Sequence, residues 1–156
     1  TAASVPDRRE GRLKPTIPAR AAGTPEQRAG LWKVIQAVSA EAGFPAQSTA
    51  DQQAAKDIEE GRTLARTEFN CTDCHAFRKP DEDATGPDLT GWGSRNWIIG
   101  IISDPTHARF YGKRNDRMPS FLASGQLDLH SISLLADWLR GDWYGATNSA
   151  VLLRAP

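Results

Sequence analysis

The sequence predicts an all-α fold on three observations. Apolar residues recur at helical spacing in separate stretches, helix-start and helix-stop residues bracket those stretches, and no segment alternates apolar and polar residues as a half-buried strand would. The 156 residues include 19 Lys+Arg and 19 Asp+Glu, so the chain has no net charge to recruit it to nucleic acid or to an anionic membrane. Partner choice must come from local patches. With Gly counted and Tyr left out, about 46% of the residues are apolar, an ordinary globular share that excludes collagen, coiled coil and outright disorder. The longest aliphatic run, Ile98-Ile99-Gly100-Ile101-Ile102, is far shorter than the roughly 18 residues that cross a bilayer, so no transmembrane segment is predicted. The opening at Thr1, without Met or a charged-then-apolar leader, fits a trimmed mature protein or a fragment of a longer one.

Along the chain, residues 1–50 read as an N-terminal extension: an extended arm with Pro6, Pro15 and Pro18, then one short helix. Thr24-Pro25-Glu26-Gln27 combines an N-cap, a Pro at the first helical position and a Gln at the third, which starts that helix. Leu31, Val34, Ile35 and Val38 form its apolar stripe, and Gly43 with Pro45 stops it. One stripe must dock on something, and packing against the neighbouring domain is the expected use. That domain is expected over residues 51–146, with a tail at 147–156. Ser48 or Thr49 begins a second helix running through Ile58, Gly61, Leu64 and Ala65 to about Phe69. Lys79 to Gly93 is broken by Pro80, Gly86, Pro87, Gly91 and Gly93 and reads as loop. Asn96–Ile102 is a short apolar helix and Pro105–Pro119 a second loop. Leu127–Leu139 is the last helix, closed by Gly141. A domain with so much loop has few aliphatic side chains for a conventional core, so something else is expected to fill its centre.

Cys71-Thr72-Asp73-Cys74-His75 is a C-x-x-C-H sequence, the attachment pattern of c-type haem. Two thiols separated by two residues reach one edge of a porphyrin, and the adjacent imidazole reaches the iron. The competing readings are a zinc knuckle and a dithiol redox pair. Zinc wants four ligands, but these are the only two cysteines, and His107 and His130 lie in unrelated contexts. A redox pair wants a strand before it and a helix after it, whereas here a helix precedes and a Pro/Gly loop follows.

Beyond the motif, Gly86-Pro87-Asp88-Leu89-Thr90-Gly91-Trp92-Gly93 and Met118-Pro119 follow in order. Together these segments resemble the class I, mono-haem cytochrome c family over roughly residues 55–143. The resemblance implies that family's fold, helices with long loops around one covalent haem c, here preceded by an arm and an extra helix. It implies haem attachment by Cys71 and Cys74, with His75 as proximal and Met118 as distal iron ligand. It implies that the Pro87 carbonyl orients His75, and it makes Arg95 the first and Trp97 the second candidate donor to a haem propionate. Met118 is the sole methionine of the chain, which leaves it almost no thioether rival. In such domains the first and last helices cross at a glycine, here Gly61, expected to face Trp138.

A His/Met-ligated haem is coordinatively closed and suits one-electron transfer rather than catalysis. The expected function is therefore an electron carrier, not an enzyme in its own right. Arg109, Lys113, Arg114 and Arg117, balanced only by Asp116, form a basic rim suited to an acidic redox partner; Asp81-Glu82-Asp83 reads as solvated loop. The Gly86–Trp97 stretch, with Asp104-Pro105, Phe110-Tyr111-Gly112 and Met118-Pro119-Ser120-Phe121, is similar to cytochrome c domains of membrane quinol:cytochrome c oxidoreductases, notably those fused to cytochrome b. This resemblance implies a domain or subunit of a membrane respiratory complex on the periplasmic, or equivalent extracytoplasmic, side. A freely diffusing periplasmic carrier is the nearest alternative. A haem-based ligand-binding or peroxidase-like protein is a further one.

Overall fold

The computed structural model describes residues 23–142, and there the chain is mainly helical with no strand. The expected arm and the expected tail at 147–156 lie outside the described residues, apart from the arm's last residue, Gly23. The helices are α1 (Pro25–Ala40), α2 (Ser48–Gln53), α3 (Ala55–Thr67), α4 (Arg95–Ser103) and α5 (Leu129–Arg140), with single 3-10 turns at Pro45–Gln47, Cys71–Asp73 and Gly112–Arg114.

Local chemistry sets most of the boundaries. At α1 the capping box closes both ways: Gln27 N–H donates to Thr24 Oγ1 at 3.3 Å, and the Gln27 side chain accepts from the Thr24 N–H at 2.9 Å. Gly43 ends the turn after α1 at φ 60°, a conformation glycine adopts without steric cost. Ser94 caps α4 by accepting from the Trp97 N–H, and Asp128 caps α5 by accepting from the Ser131 N–H at 2.7 Å. Gly141, at φ 70°, terminates α5.

Two expectations change here. The single helix anticipated from Ser48 to Phe69 is two helices, because Ala54 (φ −90°, ψ 9°) leaves helical geometry. No glycine or proline marks that break. The apolar stripe of α1 is also rotated: Val34 and Ala37 are buried, whereas Leu31 and Ile35 stand exposed beside Trp32.

The cause is the partner of α1. It packs along α3, and Val34 and Ala37 join Ile58, Ala65 and Phe77 in one apolar cluster. Full burial of a Val, Ile or Phe side chain contributes about 1.5–3 kcal/mol each. At the crossing, Gly61 lies against the backbone carbonyl of Lys33, too close for any side chain. The expectation that Gly61 faces Trp138 is thereby overturned: α1 occupies the glycine face, and Trp138 is 59% exposed.

Helix α5 pairs instead with α4. Ile132 is fully buried with Trp97, Ile101, Ile102 and Phe110, and Met118 packs on the edge of this second cluster. Arg95 reaches across from α4 to Asp137, Nε to Oδ1 at 2.5 Å and Nη2 to Oδ2 at 3.0 Å, and Nη2 also bonds Ser133 Oγ. Arg140 clasps the two halves, its Nη1 donating to the carbonyls of Ala42 (2.8 Å) and Gly93 (2.6 Å) while its guanidinium lies 4.6 Å from the Phe44 ring.

These contacts give α5 an expected acid sensitivity. Hydrogen bonding to Arg95 holds the Asp137 carboxyl below the ordinary carboxylate range, and the backbone N–H of Ser131 does the same for Asp128. A carboxylate whose folded value is depressed adds stability above its unfolded value, about 3.9 for Asp, and loses it as pH falls through the folded one. Asp137→Asn, and Asp128→Asn, which keeps a capping side chain, are each expected to flatten the loss of thermal midpoint between about pH 5 and pH 2. Thermal melts across that range check it.

Candidate functional site

The C-x-x-C-H segment follows α3 directly. Phe69 N–H and Glu68 N–H both donate to the Leu64 carbonyl, ending the helix, and Asn70 reverses the chain in the left-handed region at φ 50°. A 3-10 turn over Cys71–Asp73 then closes with the His75 N–H on the Cys71 carbonyl at 3.0 Å. The turn folds the two cysteines and His75 into one local unit. Both cysteines are free thiols; Cys74 is exposed, and half-buried Cys71 packs on the α1/α3 cluster. Burial pushes the Cys71 thiol above its ordinary value. Among the described residues no three His, Cys, Asp or Glu side chains come together in a way that could hold a metal ion.

The loop that returns past His75 is bound to it by backbone. Thr85 and Gly86 N–H groups donate to the Cys74 carbonyl at 2.9 and 2.6 Å, making an isolated parallel bridge between His75 and Gly86. Next comes Pro87, whose carbonyl lies 2.7 Å from His75 Nδ1. A carbonyl can only accept, so Nδ1 carries the proton, and in the neutral ring the lone pair is then on Nε2. The half-buried imidazole is thereby prepared as an Nε2 donor to a metal.

Gly86 permits this contact. A methyl group there would stand 2.6 Å from Cε1 and 2.8 Å from Nδ1 of His75. Gly86→Ala is therefore expected to push the ring off the Pro87 carbonyl and to cost about 1–3 kcal/mol, the usual range for overpacking. Chemical denaturation reads the stability loss, and nitrogen-detected NMR of His75 reads the loss of the Nδ1–H bond.

Met118 sits elsewhere. Its backbone is bracketed by one side chain, Asn115, whose Nδ2 donates to the Met118 carbonyl at 2.7 Å and whose Oδ1 accepts from the Met118 N–H at 3.2 Å. It lines a cleft with Tyr111, Arg114 and Arg117, whereas His75 lines another with Arg66, Thr72 and Lys79. The structure thus gathers Cys71, Cys74, His75 and Pro87 in one loop and leaves Met118 on the α4/α5 side.

The two candidate donors after Pro87 are both engaged by protein. Arg95 is forked onto Asp137 and Ser133, and the indole N–H of buried Trp97 donates to the Asp88 carbonyl at 2.8 Å. Asp88 in turn caps its own turn, accepting from the Thr90 N–H at 2.7 Å, so Trp97 pins the residue next to Pro87. Of the basic rim, Arg109 pairs with Asp88 at 3.4 Å and bonds the Thr90 carbonyl, while Lys113, Arg114 and Arg117 are exposed. His107 and His130 are exposed as well.

Sequence reasoning passed over Glu41 and Arg140, the buried charges that tie α1 and α5 to the Gly91–Gly93 turn. No local pattern marks either. Among the described residues no helix is long and apolar enough to cross a membrane. Comparison with protein-family models, with curated proteins and with solved structures gave no match to this chain.

Proposed function

We propose that the chain is a one-electron carrier of class I cytochrome c type, with haem c attached through Cys71 and Cys74 and ligated by His75 and Met118. The observation that carries the reading is the His75 Nδ1 to Pro87 carbonyl bond at 2.7 Å, which presents Nε2 to a metal directly beside two free thiols. Three further features fit such a group. Cys74 is open to solvent and so to thioether formation. Gly86 keeps the imidazole face free of a side chain. The apolar residues form two clusters, one reached by Cys71 and the other by Met118, consistent with a large apolar body belonging to the core.

When bound, the haem iron would supply reversible one-electron exchange. The polypeptide's part is to hold and tune it. His75 donates through Nε2, and the Pro87 carbonyl strengthens that donation by polarising the Nδ1–H. Met118, held by Asn115, offers a soft thioether that favours the reduced state. Arg95 could reach a propionate only by sharing its fork with Asp137, and Trp97 acts through Asp88 by fixing the Pro87 turn.

Arg114 and Arg117, exposed beside Met118, and exposed Lys113 nearby in sequence suit an acidic redox partner. Leu31, Trp32 and Ile35, exposed on α1, suit packing on a membrane respiratory complex at the periplasmic face. The test is a pyridine haemochrome spectrum of the chain produced alongside a c-type haem attachment system. The expected result is a bis-thioether haem c spectrum at one haem per chain; a protein without Soret absorption overturns the proposal.

A further inference from the structure

Glu41 is a buried charge with no part in the function just proposed. It caps the C-terminal end of α1 with its side chain 2% exposed. Oε1 accepts from Arg78 Nε at 2.8 Å and from Arg62 Nη2 at 3.3 Å, and Oε2 accepts from the Gly91 N–H at 2.9 Å. A carboxylate this far from water persists because it is paired and hydrogen-bonded.

Its partners flank the imidazole site. Arg78 lies just past His75 and stands at φ 58°, in the left-handed region that is strained for a non-glycine residue and is kept only where the surroundings enforce it. Two hydrogen bonds lace this segment to the one after Pro87: Leu89 N–H to the Ala76 carbonyl at 2.8 Å, and Arg78 N–H to Thr90 Oγ1 at 2.7 Å. The His75–Pro87 bond closes the lace at one end. Glu41 closes it at the other by gripping Arg78 and Gly91 together.

We propose that Glu41 is a positioning residue for His75: from the end of α1 it holds the Pro87 carbonyl on the imidazole Nδ1–H, and so sets how strongly Nε2 donates. Only the last clause depends on the haem reading; the positioning belongs to the polypeptide. The extra helix is then a working part of the site rather than an appendage. Arg62, the third partner, ties Glu41 to α3 and not to the loop.

The test compares Glu41→Gln, Glu41→Ala and Arg62→Gln in the full chain, reduced if it carries haem. Hydrogen exchange is followed at the Gly91 and Leu89 amides and at His75 Nδ1–H, and the reduction potential is measured. Glu41→Ala is expected to speed exchange at these protons about tenfold, as for the loss of one hydrogen bond to a charged group. It is also expected to raise the potential, since a less polarised imidazole stabilises the oxidised iron less. Glu41→Gln, which keeps an acceptor oxygen, should move both readouts the same way by less, and it decides the matter if Glu41→Ala does not fold. Arg62→Gln should lower global stability and leave the three protons and the potential unchanged. Wild-type exchange in both Glu41 variants, or an equal change in Arg62→Gln, overturns the positioning. Faster exchange with an unchanged potential overturns the donor-strength clause alone. If the chain takes up no haem, the exchange data still decide the positioning.

Discussion

Alanine at Gly61 is expected to destabilise the protein by about 3 kcal/mol, the upper end for overpacking, because a single methyl group there has backbone in front of it rather than a side chain that can move away. The neighbour is the Lys33 carbonyl of α1, so relief requires the whole helix to lift from α3. Val34 and Ala37 would then lose contact with Ile58 and Ala65. Valine at the same position should separate α1 altogether. In urea denaturation the midpoint should fall in both variants, and the valine variant should also show a smaller slope, the sign that less surface is buried in its native state. Lys56→Ala, on the exposed side of α3, should stay within about 0.5 kcal/mol of the parent. An unchanged Gly61→Ala midpoint would mean that α1 does not cross α3 at this glycine.

The second large effect concerns Met118. On the cytochrome reading, Met118→Ala would remove the thioether that ligates the iron. The reduced variant should bind carbon monoxide rapidly where the parent does not, and its potential should fall with the loss of the soft thioether. The oxidised variant should lack the thioether-to-iron charge-transfer band. The cost to the fold should be modest, because Met118 sits at the edge of its cluster, half-buried, and its backbone is held by Asn115 rather than by its own side chain. A variant with unchanged carbon monoxide reactivity and potential would remove Met118 from the ligand set.

What could be read from the sequence was what neighbouring residues decide among themselves. The Thr24 capping box, the Gly43 stop and the Gly141 terminus each arise within a turn of chain, and each lies where the residues place it. The contact between His75 and Pro87 followed from family likeness and is present as a 2.7 Å bond. Choices between distant partners could not be read. Gly61 signals a close approach but not by whom, and α1 takes the place that α5 was expected to fill. Arg95 could serve any anion, and Asp137 claims it. Glu41 looks like any other helix-end glutamate until Arg62, Arg78 and Gly91 converge on it from far along the chain. The break at Ala54 has no residue signature at all, since alanine is the strongest helix former.

The proposed haem would be held by two thioether bonds, one from Cys71 and one from Cys74, and the most direct measurement is the intact mass of the denatured protein after production with a haem attachment system. The expected mass is that of the polypeptide plus one haem, with Cys71→Ser and Cys74→Ser together giving the polypeptide alone. A parent protein whose mass is that of the bare chain would contradict it.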